Sequence, residues 1–235
     1  MSANMDTVTD VRTAEILTEY GWISVMCKHF NNDWADRSKI EALPEVLAHT
    51  DNFSLSCGTS QKDIDLLFDA AVNIKDRFGK EPKIVTIDIA NGYLDMMLGA
   101  CQKIREKLPD VVLVAGNVVT PEGMYDLVYK GGVDVVKVGI GSGAVCTTRL
   151  KTGVGYPQFS AVSECAAAAL NCEAHVISDG GCIHPGDVSK AFGARSSFVM
   201  LGSMLAAHEQ SPGQSFTDED GKEYKEYYGM SSTTA

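Results

Sequence analysis

Short apolar runs recur along the chain at near-regular intervals: WISVMC (22–27), FSLSC (53–57), KIVTIDIA (83–90), VVLVAG (111–116), VVKVGI (135–140), AHVISDG (174–180) and SFVMLG (197–202). Most are β-branched and nearly continuous, the pattern of strands buried on both faces. Between them lie stretches with helical spacing. DIDLLFDAAVNIKDRFG closes on Gly79, and YLDMMLGACQKIREKL is followed at once by Pro109. SAVSECAAAALN reads as a further helix with Ser160 as its N-cap and Glu164 in its first turns. A stub, SANMD, precedes the first repeat.

Repeated βα units imply parallel strands joined by right-handed crossovers. Two α/β architectures fit: a doubly wound open sheet, and a (β/α)8 TIM barrel, which typically takes about 250 residues. Polar or glycine-rich groups follow almost every strand: KHF, GTS, DIANG, GNV, GIGSG, SDGG and GSM. A barrel brings all such ends to one mouth, whereas an open sheet uses only those at its switch point. Ordinary turns explain each glycine singly, but not nearly all of them together, so the barrel is favoured. The tail SPGQSFTDEDGKEYKEYYGMSSTTA breaks the period and carries a turn at DEDGK, and residues 209–229 read as a flap over the mouth. Residues 1–235 thus read as one barrel domain. It begins near the end of a first strand and stops before a convincing eighth helix, so the expectation is a barrel incomplete at both ends.

Composition narrows the function classes. The chain is 45% hydrophobic and 22% charged, ordinary for a globular protein. Its net charge is -11, from 31 acidic and 20 basic residues, which argues against nonspecific nucleic-acid binding. A small phosphorylated ligand needs only a few local donors and stays open. The apolar runs are too short to span a membrane, and the N-terminus shows no secretory signal. Seven cysteines stand at 27, 57, 101, 146, 165, 172 and 182 without a C-x-x-C pair. That pattern implies reduced thiols in a cytoplasmic protein, with no disulfide framework or structural zinc.

One thiol stands apart. Cys146 lies in GIGSGAVCTTRLKTGVGYPQ (139–158), between a glycine-rich loop and Thr147-Thr148-Arg149. Such a loop can aim backbone amides or carbonyls at a ligand or an ion. Thr148 offers a hydroxyl two residues on, and Arg149 and Lys151 are near in sequence. A nucleophile and an inert buried thiol are both open readings for Cys146; the other six read as inert. In SDGG (178–181), Asp179 could accept hydrogen bonds from a ribose diol, with Gly180 and Gly181 allowing close backbone approach. LGSM (201–204) could present amides to a phosphate, as the last strands of barrels often do. An ordinary turn with an acidic cap explains either stretch equally well, and Asp88 in IDIANG has the same ambiguity. His29 reads as a satisfied polar residue at a strand end. No H-e-x-x-H spacing and no dinucleotide-binding glycine fingerprint after a strand is present.

Read together, ANMDTV, DIANGY, AGNVVT, VKVGIGSGAVCTTRLKTGVGYPQ, SDGGC, PGDV, KAFGA and YYGMSS resemble the guanosine 5′-monophosphate (GMP) reductase family. The likeness runs through nearly the whole chain in order. The cysteine loop is shared with inosine monophosphate (IMP) dehydrogenases, while KTGVGYPQ, YGMSS and the lack of an insert between the early strands tilt it to the reductases. The resemblance implies a TIM barrel that converts GMP and NADPH to IMP, NADP⁺ and ammonia through a cysteine thioimidate, in a cytoplasmic homo-oligomer, tetrameric in the family. It implies Cys146 as nucleophile and Thr148 as proton handler. Asp179, Gly180, Gly181, Gly202, Ser203, Gly229, Met230 and Ser231 match substrate contacts. Lys28, Asp88, Ile89, Ala90, Ile140, Gly141 and Met230 match cofactor contacts. Gly141, Gly143, Cys146 and Arg149 match a monovalent cation site for K⁺. Three departures stand out. Ser142 and Ala144 replace proline and serine, so the loop is expected to be looser and to lack a phosphate-bonding hydroxyl. GARSSF replaces a small acidic stretch. The family's next segment, with a glutamate that partners the threonine and an arginine near the ligand, lies beyond Ala235, so slow turnover is expected. An IMP dehydrogenase and a nucleotide-binding pseudoenzyme are the rival readings.

Overall fold

The computed structural model describes residues 1–36 and 50–230. Among them, parallel strands form one seven-stranded sheet in sequence order. They are β1 (Ser24–Val25), β2 (Phe53–Cys57), β3 (Ile84–Asp88), β4 (Val112–Val118), β5 (Val135–Val138), β6 (His175–Asp179) and β7 (Phe198–Met200). Each falls inside an apolar run of the sequence except β4, which continues two residues past VVLVAG (111–116) to Val118. The class is α/β, and the architecture is an incomplete (β/α)8 barrel.

The pleat sorts side chains by parity. Val85, Ile87, Leu113, Ala115, Val136, Val138 and Val176 face outward and bury the helices' apolar sides, among them Leu67, Ile74, Met97, Ile104, Val162 and Cys165. Val25, Val114, Val135, Ile177 and Met200 face inward and fill the barrel with Ala3 and Val8. Both faces of the sheet are dry, which is why the strands read as continuous apolar runs.

The helices start and stop for local reasons. Gln61–Phe78 begins at Ser60, whose hydroxyl accepts from the Asp63 amide, and ends at Gly79 with φ 72°. Lys75 and Arg77 lie in its last turn, where the helix dipole favours cations. Asp95–Lys107 stops two residues before Pro109. The helix expected to be capped by Ser160 instead runs Gln158–Ala169 with Pro157 at its N-cap. Proline lacks an amide hydrogen and holds φ near -65°, so it opens a helix readily. Ser160 lies inside the first turn. The DEDGK turn does join two strands, β8 (Ser215–Thr217) and β9 (Glu223–Lys225), in an antiparallel hairpin. The Asp218 carboxylate ties the turn by accepting from the Asp220 and Lys222 amides.

The N-terminal stub occupies the seam of the sheet. Ser2 forms parallel bridges to both Ser24 and Leu201. The Ser2 amide donates to the Ile23 carbonyl, Ala3 donates to Leu201, and Leu201 donates back to Met1. The Thr9 hydroxyl holds the stub down by donating to the Ala3 carbonyl at 2.7 Å. The barrel ladder therefore continues from β7 to β1 through three residues.

Replacing Ala3 with proline deletes the amide that donates to Leu201 and should destabilise the protein by about 1–3 kcal/mol. A urea midpoint unchanged from wild type would show that the seam lies outside the cooperative fold.

Candidate active site

The mouth of the barrel is built on three adjacent strand ends. After β5 the chain turns through Gly139 into the cysteine loop, and after β6 it turns through Gly180. These two loops touch: a side chain at Gly180 would meet Ser142 Oγ at 2.6 Å and the Gly143 amide at 2.9 Å. The Ser142 hydroxyl donates to the Asp179 carbonyl at 2.9 Å. Ser142 was expected to loosen the loop; here its hydroxyl fastens the loop to the end of β6. Gln158 braces the same join from behind, its Nε2 donating to the Val138 carbonyl at 2.8 Å and to Ser178 Oγ at 3.3 Å.

Cys146 sits on this platform, partly exposed, its amide donating to the Gly143 carbonyl at 3.1 Å. Its Sγ lies 3.3 Å from Thr148 Oγ1. Thr148 opens a short helix, Thr148–Thr152, so thiol and hydroxyl are brought together by one turn of chain. Burial pushes the Cys27 thiol up to about 11 and those of Cys101 and Cys165 up to about 12, and it raises Cys57, Cys172 and Cys182 as well. Those thiols stay protonated and unreactive near neutral pH.

Arg149 points away from the sulfur, its Nη2 donating to the Tyr156 carbonyl at 2.7 Å. Its stem packs against Gly141, which has φ 76°. Ile140 is buried, and its carbonyl accepts from the Tyr156 amide at 3.4 Å. The KTGVGYPQ stretch is thereby pinned beneath the cysteine loop.

The barrel interior below holds charges. Lys137, from β5, has a side chain only 2% exposed. Its Nζ lies 2.6 Å from Asp179 Oδ2 and 3.0 Å from Asp88 Oδ1. Burial works against its charge, but the coulombic pull and hydrogen bonds of Asp179 and Asp88 outweigh that, and the ammonium is held above its usual range. Asn117 Nδ2 donates to the same Asp179 oxygen at 2.8 Å and to the Gly139 carbonyl at 2.6 Å. Asn4 Nδ2 donates to Asp88 Oδ2 at 2.8 Å. The ladder shifts register between Gly116 and Val118, a bulge that sets Asn117 at this spot. Asn117 Oδ1 is buried and has no partner.

The remaining candidates ring the mouth. Ile89 uses its backbone on Gly116 and Asn117, and Ala90 is exposed just beyond it. Gly202 lies against the Tyr227 hydroxyl, and Ser203 Oγ donates to the Cys182 carbonyl at 3.5 Å. Gly229 lies against the Val145 carbonyl, which brings the end of the flap over the cysteine loop. Met230, half-buried, follows it; Ser231 lies outside the described residues. Gly181 is exposed behind Gly180, against the Gln158 side chain. Lys28 stands on the far side, 3.6 Å from Asp63, beside a cavity of about 170 Å³ that His29, Asn31, Asn32 and Lys62 also line.

Sequence reasoning gave no role to Lys137, Asn117, Gln158 or Tyr228. Tyr228 Oη donates to Asp6 Oδ2 at 3.0 Å and bolts the flap to the N-terminal segment. Lys137 had a signal: a lysine inside an apolar strand, at the parity of inward-facing Val135.

A family model described as "IMP dehydrogenase / GMP reductase domain" matches residues 1–235. A GMP reductase from Ascaris suum is 44% identical over 237 residues, covering 100% of this chain and 64% of that protein. GMP reductases from Yersinia enterocolitica and Yersinia pestis (strain Pestoides F) are each 46% identical over 239 residues, covering 100% of this chain and 65% of theirs. The chain spans a little under two thirds of the length of these relatives. Matched from its first residue to its last, the chain belongs to the IMP dehydrogenase / GMP reductase domain family.

Proposed function

We propose that this chain carries the nucleotide site of a GMP reductase, which converts GMP to IMP and ammonia at the expense of NADPH. The observation that carries the reading is Cys146 Sγ at 3.3 Å from Thr148 Oγ1, on a loop fastened to the end of the strand that bears Asp179. Thiol, hydroxyl and carboxylate then share one mouth.

The chemistry follows from these positions. Cys146 loses its proton, with Thr148 placed to receive or relay it, and the sulfur adds to C2 of the purine. The C2–N bond breaks as ammonia departs, leaving a thioimidate between Cys146 and the nucleotide. The nicotinamide, when bound, supplies the hydride that C2 takes up, after which the C–S bond breaks and the thiolate returns. Asp179 accepts from the ribose diol, and the amides after β7, at Gly202 and Ser203, face the phosphate with Gly180 and Gly181 nearby. Gly229 and Met230 close over the base.

The residues present fit both absent groups. For the cofactor, Lys28 and Lys62 line the 170 Å³ hollow with Asp63, which pairs with Lys28, a setting of net positive charge for a phosphate, and the Asp88 side chain is 31% exposed. Ile89, Ala90, Ile140, Gly141 and Met230 would complete that contact. For the cation, the carbonyls of Gly141, Gly143 and Cys146, with Arg149 nearby, would offer a neutral, all-oxygen donor set, which suits K⁺ and not zinc. The Gly143 carbonyl already accepts the Cys146 amide and keeps its second lone pair. Among the described residues no helix is long and apolar enough to cross a membrane. A cytoplasmic homo-oligomer is part of this proposal.

Direction separates this reading from a dehydrogenase. Oxidation of IMP needs a water activated after the nicotinamide leaves, and residues 209–229 contain no arginine to serve as that base. Wild type should therefore oxidise NADPH with GMP, Cys146→Ala should not, and IMP with NAD⁺ should give essentially no NADH. Both rates are read from the absorbance of the reduced nicotinamide. NADH formation outrunning NADPH loss would move the assignment to the dehydrogenase.

A limiting dose of iodoacetamide should modify Cys146 ahead of the other thiols, and GMP should protect it, as read by peptide mass spectrometry. Uniform labelling of all seven cysteines would remove Cys146 as an activated nucleophile. Ala144→Ser restores a hydroxyl to the exposed rim of the loop and should tighten GMP binding by about 0.5–1.5 kcal/mol. Calorimetric titration of the two proteins checks this, and equal affinity would place the phosphate elsewhere.

A further inference from the structure

We propose that Lys137 is the positioning residue of the nucleotide site: from inside the barrel it sets the Asp179 carboxylate for the ribose diol and ties it to Asp88 on the cofactor side. The inference rests on the GMP reading above and adds to it a residue that touches neither ligand.

The register makes the bridge. Gly116 of β4 pairs with Asp88 on one side and Lys137 on the other. These positions form one row across β3, β4 and β5, and only the middle one lacks a side chain. A Cβ at Gly116 would run into the Lys137 backbone carbonyl and Cβ. The gap lets the lysine reach across β4 to Asp88 while also touching Asp179 from β6. Met200 Sδ, 3.8 Å from Nζ, packs against the same ammonium.

The hydrogen bonds leave each carboxylate with a held end. Asp179 Oδ2 takes both Lys137 and Asn117, so Oδ1 is left for a ligand at the mouth. The side chain is 21% exposed, open enough to be reached. A carboxylate fixed at one oxygen loses little rotamer freedom when a diol binds the other, so more of the interaction appears as affinity. A lysine that served the barrel alone would not need to end on two residues that face the mouth.

The test compares GMP with 2′,3′-dideoxy-GMP, which lacks the diol. Wild type should bind GMP about 10-fold or more tighter than the dideoxy nucleotide, the range of a hydrogen bond to a charged group. Lys137→Met should weaken GMP and leave the dideoxy nucleotide little changed, so that the ratio falls toward one. Lys137→Arg, which keeps the charge, should recover most of the ratio. Because Lys137→Met leaves two carboxylates facing each other without a cation and could fail to fold, the double variant Asp88→Asn/Lys137→Met is measured beside it. It removes one charge of each sign, and its fold is checked by a cooperative melt. It too should lose discrimination. A wild-type ratio in either methionine variant would overturn the positioning role while leaving the GMP reading intact. Failure of the wild type to bind GMP at all would instead overturn the reading, and this inference with it.

Discussion

An ammonium group inside a barrel cannot stand alone. Desolvating it costs several kcal/mol unless opposite charge and hydrogen bonds meet it there. Lys137 is met by Asp88 and Asp179, and satisfying that one charge organises the mouth. It determines where two strand-end carboxylates point and requires a glycine at position 116. Asn117 shares with the lysine one oxygen of Asp179, and Asn4 takes the second oxygen of Asp88. The network joins β3, β4, β5, β6 and the N-terminal segment through side chains, where the ladder joins them only through backbone. Removing Lys137 would leave two carboxylates facing each other without a cation, so the group depends on that one ammonium.

Above this layer the cysteine loop acquires its shape from contacts and not from stiff residues. Proline at 142 would limit the loop by restricting φ; serine limits it by a hydroxyl bonded to the Asp179 carbonyl. The two devices differ in what they couple. A proline constrains only its own neighbourhood, whereas the Ser142 bond makes the position of Cys146 depend on the end of β6, where Asp179 stands. Gln158 reinforces that dependence by spanning Val138 and Ser178. Cys146 and Asp179 therefore rest on one frame.

The N-terminal residues serve both the fold and the site. Ser2 bridges the two ends of the sheet, Asn4 holds Asp88, and Asp6 takes the Tyr228 hydroxyl of the flap. Three residues of one short segment thus reach the ladder, the buried charges and the lid, as the chain leaves the ladder and folds into a turn in which the Met5 carbonyl accepts from the Val8 and Thr9 amides. Asp6 Oδ1 remains buried without a partner, a polar cost at the hinge between flap and barrel.

Much of this was legible in the sequence. Seven apolar runs became seven strands because residues buried on both faces leave a continuous apolar signature that no tertiary partner is needed to read. The hairpin turn at DEDGK and the stop at Gly79 were equally local, since each depends on the conformational freedom or side-chain bonding of one or two residues. Cys146 and Thr148 were found for the same reason: two residues apart, they meet within a single turn. The start of the helix at Pro157 was missed because a serine cap and a proline start compete within three residues, and packing of Gln158 under the loop settles which wins. Lys137 could be seen as anomalous, but not explained. Its partners lie 49 residues before it and 42 after it in the chain, and only the parallel register places a glycine between them. The sequence by itself determined the strands, the turns and the surroundings of Cys146, because those are governed by short-range sterics and burial pattern. The tertiary structure alone decided which carboxylates share the buried lysine, how the loop is fastened and what closes the seam, because each is a meeting of groups that only barrel closure brings within hydrogen-bond distance.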